Sequence, residues 1–163
     1  MPESFKTRLM RFFFHIHPAY HGSGGRVTYI SADWSELKVE IPHNWRTLNY
    51  VGTIFGGSLY AAVDPMFMIM LIKRLGPDYI VWDKSATIHF KKPGICKLFA
   101  SFKISDDEVQ FIRERSKSTQ SIDRIYQLDI TDKEGTIYAR VEKTIYIRRK
   151  NEIPDNRIEY SKG

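Results

Sequence analysis

Cysteine is nearly absent: Cys96 stands alone among 163 residues. One thiol excludes an intrachain disulfide and any CxxC metal site, and it fits a reducing, cytoplasmic setting. The histidines His15, His17, His21 and His43 have no metal-ligand spacing, so neither a metal nor another cofactor is called for. A long basic tail is missing too. The net charge of +6 gathers in short clusters, Lys91-Lys92 and Arg148-Arg149-Lys150, and no helix-turn-helix or RNP-like motif accompanies it. Charge alone therefore does not point to nucleic acid. There is no internal repeat, and no small-residue cleavage site follows the basic, aromatic start FKTRLMRFFFHIHP, which argues against a signal peptide.

What the chain does have is aromatic and apolar residues in alternating runs, with ten Phe, nine Tyr and three Trp. Near the N-terminus, Phe5, Leu9, Phe12 or Phe13, and Ile16 share one helical face. A helix packing that face on the domain and ended by Pro18 is favoured over an interfacial membrane anchor. Tyr20 to Gly25 reads as a Gly/Ser loop. Strands are expected over Arg26–Ala32, Glu36–Ile41, Tyr79–Lys91, Ile95–Ile104, Ile122–Thr131 and Thr136–Arg148, joined mostly by short connections. Ser105 with Glu108 has the form of a capping box, opening a helix to about Arg115 with Val109 and Ile112 inward. Lys143 breaks the inward face of the last strand; a bulge or exposure beyond the core would each account for it.

The stretch NYVGTIFGGSLYAAVDPMFMIMLIKRLG, from Asn49 to Gly76, is apolar almost throughout, with one carboxylate at Asp64. A membrane span is disfavoured by Gly56, Gly57, Ser58, Asp64 and Pro65; an acid at mid-bilayer costs roughly 2.5 to 3.5 kcal/mol. A buried core helix, kinked or broken at Pro65, is expected instead. The run Met66, Met68, Met70 fits core filling more often than a binding surface. Burying an acid is costly unless it is paired or used, so Asp64 is the leading functional residue. The simpler reading makes Asp64-Pro65 a local cap between two helix segments.

Asn49-x-x-Gly52-x-x-Phe55-Gly56-Gly57 followed by Asp64 resembles the Asn…Gly…His-Gly-Gly…Asp pattern of hotdog-fold acyl-CoA thioesterases of the phenylacetate-pathway type. GTIFGGSLYAAVDP, YIVWDK and IHFKKPG look closer still to a hotdog subgroup of unknown function. The resemblance implies an α+β fold in which an antiparallel sheet wraps one long central helix. It implies a hotdog domain over residues 20–150, an N-terminal helical segment packing on it over 1–19, and a polar tail over 151–163.

By the same resemblance, Asp64 activates water or attacks the thioester carbonyl, and Asn49 positions water or carboxylate. Gly56, with Gly57, supplies backbone N–H groups to the oxyanion. Helix N-termini present such donors on general grounds. Phe55 departs from the pattern, standing where the family has histidine. Asp83 or Ser85 would help position water, although an exposed ion pair is the commoner role for Trp82-Asp83-Lys84. Arg148, Arg149 and the Lys91-Lys92 pair would grip coenzyme A phosphates. The function expected is acyl thioester hydrolysis. The competing reading is a non-catalytic acyl or acyl-CoA binding protein; a hydratase lacks a histidine beside Asp64. A dimer or tetramer is expected, with no nucleic-acid partner and no stable membrane insertion.

Overall fold

The computed structural model describes residues 1–150; the polar tail expected over 151–163 lies outside the described residues. Among the described residues six strands form one antiparallel sheet: β1 (Arg26–Ile30), β2 (Glu36–Ile41), β3 (Tyr79–Phe90), β4 (Leu98–Lys103), β5 (Ile122–Thr131) and β6 (Ile137–Arg149). Their order is β1-β2-β4-β5-β6-β3, so β1 and β3 are the edges. Each expected strand is present, with ends differing by a few residues. The alternation that predicts them is the pleat itself, which turns every second side chain to the core. Leu37, Val39 and Ile41 of β2 are buried, as are Leu98, Ala100 and Phe102 of β4 and Ile145 and Ile147 of β6.

Between β2 and β3 runs the core helix, in two pieces: α3 (Gly56–Val63) and α4 (Met66–Leu75). The break falls at Asp64-Pro65, as Pro65 predicts, because proline offers no N–H to Ala61 and crowds the preceding turn. Both break residues keep right-handed helical angles, so the two pieces stay roughly in line. Leu59, Ala62, Val63, Met66, Phe67, Met70 and Leu71 are buried against the sheet. Met66 and Met70 are thus core filler. Phe67 meets Phe102 edge-on at 5.0 Å and stacks on Tyr126 at 4.8 Å, joining α4 to β4 and β5. Among the described residues no helix is long and apolar enough to cross a membrane.

The N-terminal helix α1 (Phe5–Ile16) exists, opened by a reciprocal Ser4–Thr7 capping box. It packs through a different face from the expected one. Thr7 and Phe14 are buried and Met10 partly so, whereas Phe5, Leu9, Phe12, Phe13 and Ile16 stay exposed. Two stripes were available on this helix, and the approach to β1 selects the one carrying Phe14. The supposed loop Tyr20–Gly25 is mostly a short helix, α2 (Pro18–Ser23), with Pro18 at its first position. Tyr20 anchors it, donating its hydroxyl to the Ala62 carbonyl at 3.0 Å. Gly25 lies so close to α3 that a Cβ there would approach the Ala62 Cβ to 2.5 Å.

α5 (Asp106–Arg115) begins as expected, with the Ser105 hydroxyl accepting from the Glu108 N–H at 3.1 Å. The other half of a capping box is not formed, because the Glu108 carboxylate turns to β5. It accepts two bonds from Arg124 and one from Tyr126, at 2.8, 2.8 and 2.7 Å. Burial pushes the Glu108 carboxyl up, but these donors together hold it below its usual range. A lowered folded-state pKa adds stability above the unfolded value, and that stability is lost as pH falls through the folded one. Glu108→Gln is therefore expected to cost about 1.5–3 kcal/mol near neutral pH. In urea titrations its deficit should shrink as the medium is acidified; a deficit independent of pH would show that the carboxylate charge contributes nothing.

Candidate active site

Asp64 closes α3, its N–H bonded to the Tyr60 carbonyl at 2.9 Å. At a helix break the last carbonyls lack intrahelical N–H donors, and a cation there is favoured. That cation is Lys143, and it is fully buried. Its Nζ donates to Asp64 Oδ1 and to Asp83 Oδ2, each at 2.7 Å, and to the Asp64 carbonyl oxygen. An ammonium has three N–H donors, and here all three are met. Neither expectation for Lys143 holds. It is neither bulged nor beyond the core, but lies inward between two acids.

The bulge is on the neighbouring strand. The register slips between Asp83 and Ser85 of β3, so that Asp83 faces Ile145 while Ser85 faces Thr144. Asp83 is thereby turned inward, which corrects the expectation of an exposed Asp83–Lys84 pair; Lys84 instead pairs with Asp123. Asp83 Oδ1 is buried and, among the described residues, has no hydrogen-bond partner. Burial raises the Asp83 carboxyl above its usual range, and Asp64 adds to this, while the Lys143 ammonium opposes it. Tyr60, one helical turn before Asp64, completes the cluster. Burial first, then the hydrogen bond and negative charge of Asp64, push its hydroxyl upward, so it remains a proton donor.

Asp64 is the reachable member, its side chain 40% exposed against 23% for Asp83 and none for Lys143. It borders an apolar cleft of about 800 Å³ between α1–α2 and α3–α4. Ser85 lies exposed on β3.

The glycine end of α3 is a separate place. Gly56 opens the helix, and no side chain among the described residues caps it. A Cβ on Gly56 would come within 2.8 Å of the Phe90 ring, and one on Gly57 within 2.2 Å of the Phe55 ring. The Phe90 and Phe55 rings, each 56% exposed, thus pack closely against these two glycines. Asn49 holds the loop leading in: its Oδ1 accepts from the N–H groups of Val51 and Thr53, and its Nδ2 donates to the Thr53 hydroxyl. Lys91 and Lys92 follow Phe90 and so sit near this end. Arg148 and Arg149 pair with Ile80 and Tyr79 at the opposite end of the β3–β6 ladder, roughly 30 Å along the strands.

The structure thus brings Asp64 and Asp83 together and leaves Gly56, Gly57, Phe55 and Asn49 elsewhere. Sequence reasoning missed Lys143 and Tyr60 as members of the cluster. A lysine on an otherwise apolar inward face, in a fold with an acid in its core helix, was the available signal.

The family described as a domain of unknown function, DUF4442, matches residues 6–147. No curated protein matches the chain. Among solved structures, a Pseudomonas aeruginosa protein of unknown function, PA5026, described as a probable thioesterase, superposes with a TM-score of 0.77 at 17% identity, covering 91% of this chain and 98% of that one. The Haemophilus influenzae thioesterase HI1161 gives 0.65 at 14% identity, covering 92% and 95%. The PaaI protein of the Escherichia coli phenylacetic acid degradation operon gives 0.59 at 17% identity, covering 88% and 91%. At these identities the likeness establishes the fold: α+β, of the hotdog kind, with thioesterase-like neighbours.

Proposed function

The chain belongs to the DUF4442 family, and on that footing we propose that it hydrolyses acyl thioesters, acyl-CoA being the simplest candidate. One observation carries this reading. Asp64 stands at a break in the core helix and lines an apolar cleft, and its carboxylate is part-exposed while held by a buried cation. A carboxylate so oriented can take a proton from water as the water oxygen attacks the thioester carbonyl carbon. The C–S bond then breaks, and the departing thiolate takes the proton that Asp64 accepted, restoring the carboxylate. Asp83, bonded to the same ammonium, holds Lys143 in place against Asp64.

A single chain leaves this site incomplete. Gly56 and Asp64 are eight positions apart on one helix, about 12 Å along its axis, too far to act on one carbonyl. The oxyanion donors Gly56 and Gly57 therefore come from a second copy. The β3 edge, twelve residues long, supports such pairing, because an unpaired strand edge is a template for another strand. The proposed assembly is a dimer through β3, with tetramers formed from dimers. Sedimentation should give at least twice the 19.1 kDa chain mass. Thr87→Lys combined with His89→Lys should shift the protein toward monomer and abolish hydrolysis; a fully active monomer would refute the shared site.

A second reading is favoured by Phe55 and Phe90, whose rings pack closely against Gly57 and Gly56. If they stay in place, the chain binds acyl groups without cleaving them. Thiol release from acyl-CoA by the parent chain and by Asp64→Asn separates the two. Turnover lost on substitution supports the hydrolase; saturable binding with no turnover by the parent supports the binding protein.

A further inference from the structure

We propose that the cleft between α1–α2 and α3–α4 receives the acyl chain of the substrate, and that long, unbranched aliphatic acyl groups are preferred. The inference rests on the reading of Asp64 as the group that meets the thioester, and it adds the substrate class. The cleft's volume of about 800 Å³ lies toward the upper end for small-molecule sites. One wall is Met10, Phe14 and Tyr20, and the other is Ala61, Pro65 and Ile69.

The chemistry of these walls leaves little for a polar ligand. Tyr20 turns its hydroxyl away, donating it to Ala62. Pro65 has no N–H, so the helix break offers no backbone donor at that residue. His17 and Lys73 border the cleft, and the Lys73 Nζ lies over the Trp34 ring at 5.9 Å. Asp64 is the cleft's carboxylate. An apolar trough bordered by a reactive carboxylate fits an amphiphile with an electrophilic carbonyl at its head. Phe13, Ile16 and Ile72, all at the cleft, remain 40–53% exposed, so apolar surface is available for burial. Each methylene buried contributes roughly 0.8 kcal/mol, which makes chain length the property this cleft senses.

The test uses the full chain and acyl-CoA analogues in which a methylene ketone replaces the thioester, with butanoyl and hexadecanoyl chains, alongside thiol release from the matching acyl-CoAs. The parent should bind the hexadecanoyl analogue at least 100-fold more tightly than the butanoyl one. Ala61→Trp, at an exposed position beside the cleft, should lower long-chain affinity at least tenfold and leave the short chain within twofold. Equal affinity for the two chains, or an equal loss of both in Ala61→Trp, would overturn the proposal. So would a changed sedimentation mass with unchanged chain preference, since a second copy would then fill the cleft. Chain-dependent binding without thiol release would keep this inference and reject the hydrolase reading; thiol release indifferent to chain length would do the reverse.

Discussion

Lys143→Met lowers the stability of the folded chain by about 3–5 kcal/mol, the cost of leaving buried charge unpaired. Methionine matches the volume of the lysine stem, so the loss is electrostatic and leaves little cavity. The ammonium meets two carboxylates and a helix-terminal carbonyl, and its removal leaves Asp64 and Asp83 facing each other. The pH dependence has a definite sign. Asp83 already has a raised folded-state pKa, and a raised value gives stability that is present below the unfolded pKa and lost as pH rises through the folded one. Without the cation that rise grows, so the variant should gain stability relative to the parent as pH is lowered from 8 toward 5. Adding Asp64→Asn and Asp83→Asn should recover most of the deficit, because a neutral cluster no longer holds uncompensated charge. Urea unfolding of the series measures it; a Lys143→Met deficit below 1 kcal/mol would show the triad to be energetically idle.

Asp64→Asn lowers kcat/KM for an acyl thioester by about 10²–10⁴, the usual contribution of a positioned general base. Asparagine keeps the shape and can still accept from Lys143, while Asp83 still neutralises the ammonium. The urea midpoint should therefore move little, separating lost chemistry from lost fold. Unchanged turnover would place the base elsewhere, with Asp83 next in line. Phe55→His in the same assay tests the glycine end of α3: a gain in rate would mark the phenyl ring as an attenuator of hydrolysis.

The strands and the helix break could be read from local pattern, because alternation and proline act on their own neighbours. β2 and β4 need only their own side chains to reveal which face is buried. The face of α1 could not be read so. Its Phe5–Ile16 sequence holds two apolar stripes, and the choice between them depends on how the helix meets β1. The capping box at Ser105 failed by half for a similar reason: Arg124 and Tyr126, sixteen and eighteen positions on, compete for Glu108.

Asp64 was singled out by the sequence alone, as the one acid in an apolar helix, together with the glycine turn before it and the family pattern both belong to. The tertiary structure alone decided what Asp64 does with its charge. Lys143 is 79 positions from Asp64 and 60 from Asp83, and the three meet only because β6 pairs with a bulged β3 beneath a broken helix. Hydrophobic period is a property of a segment. The pairing of buried charges is a property of register and packing between segments, and no single segment carries it.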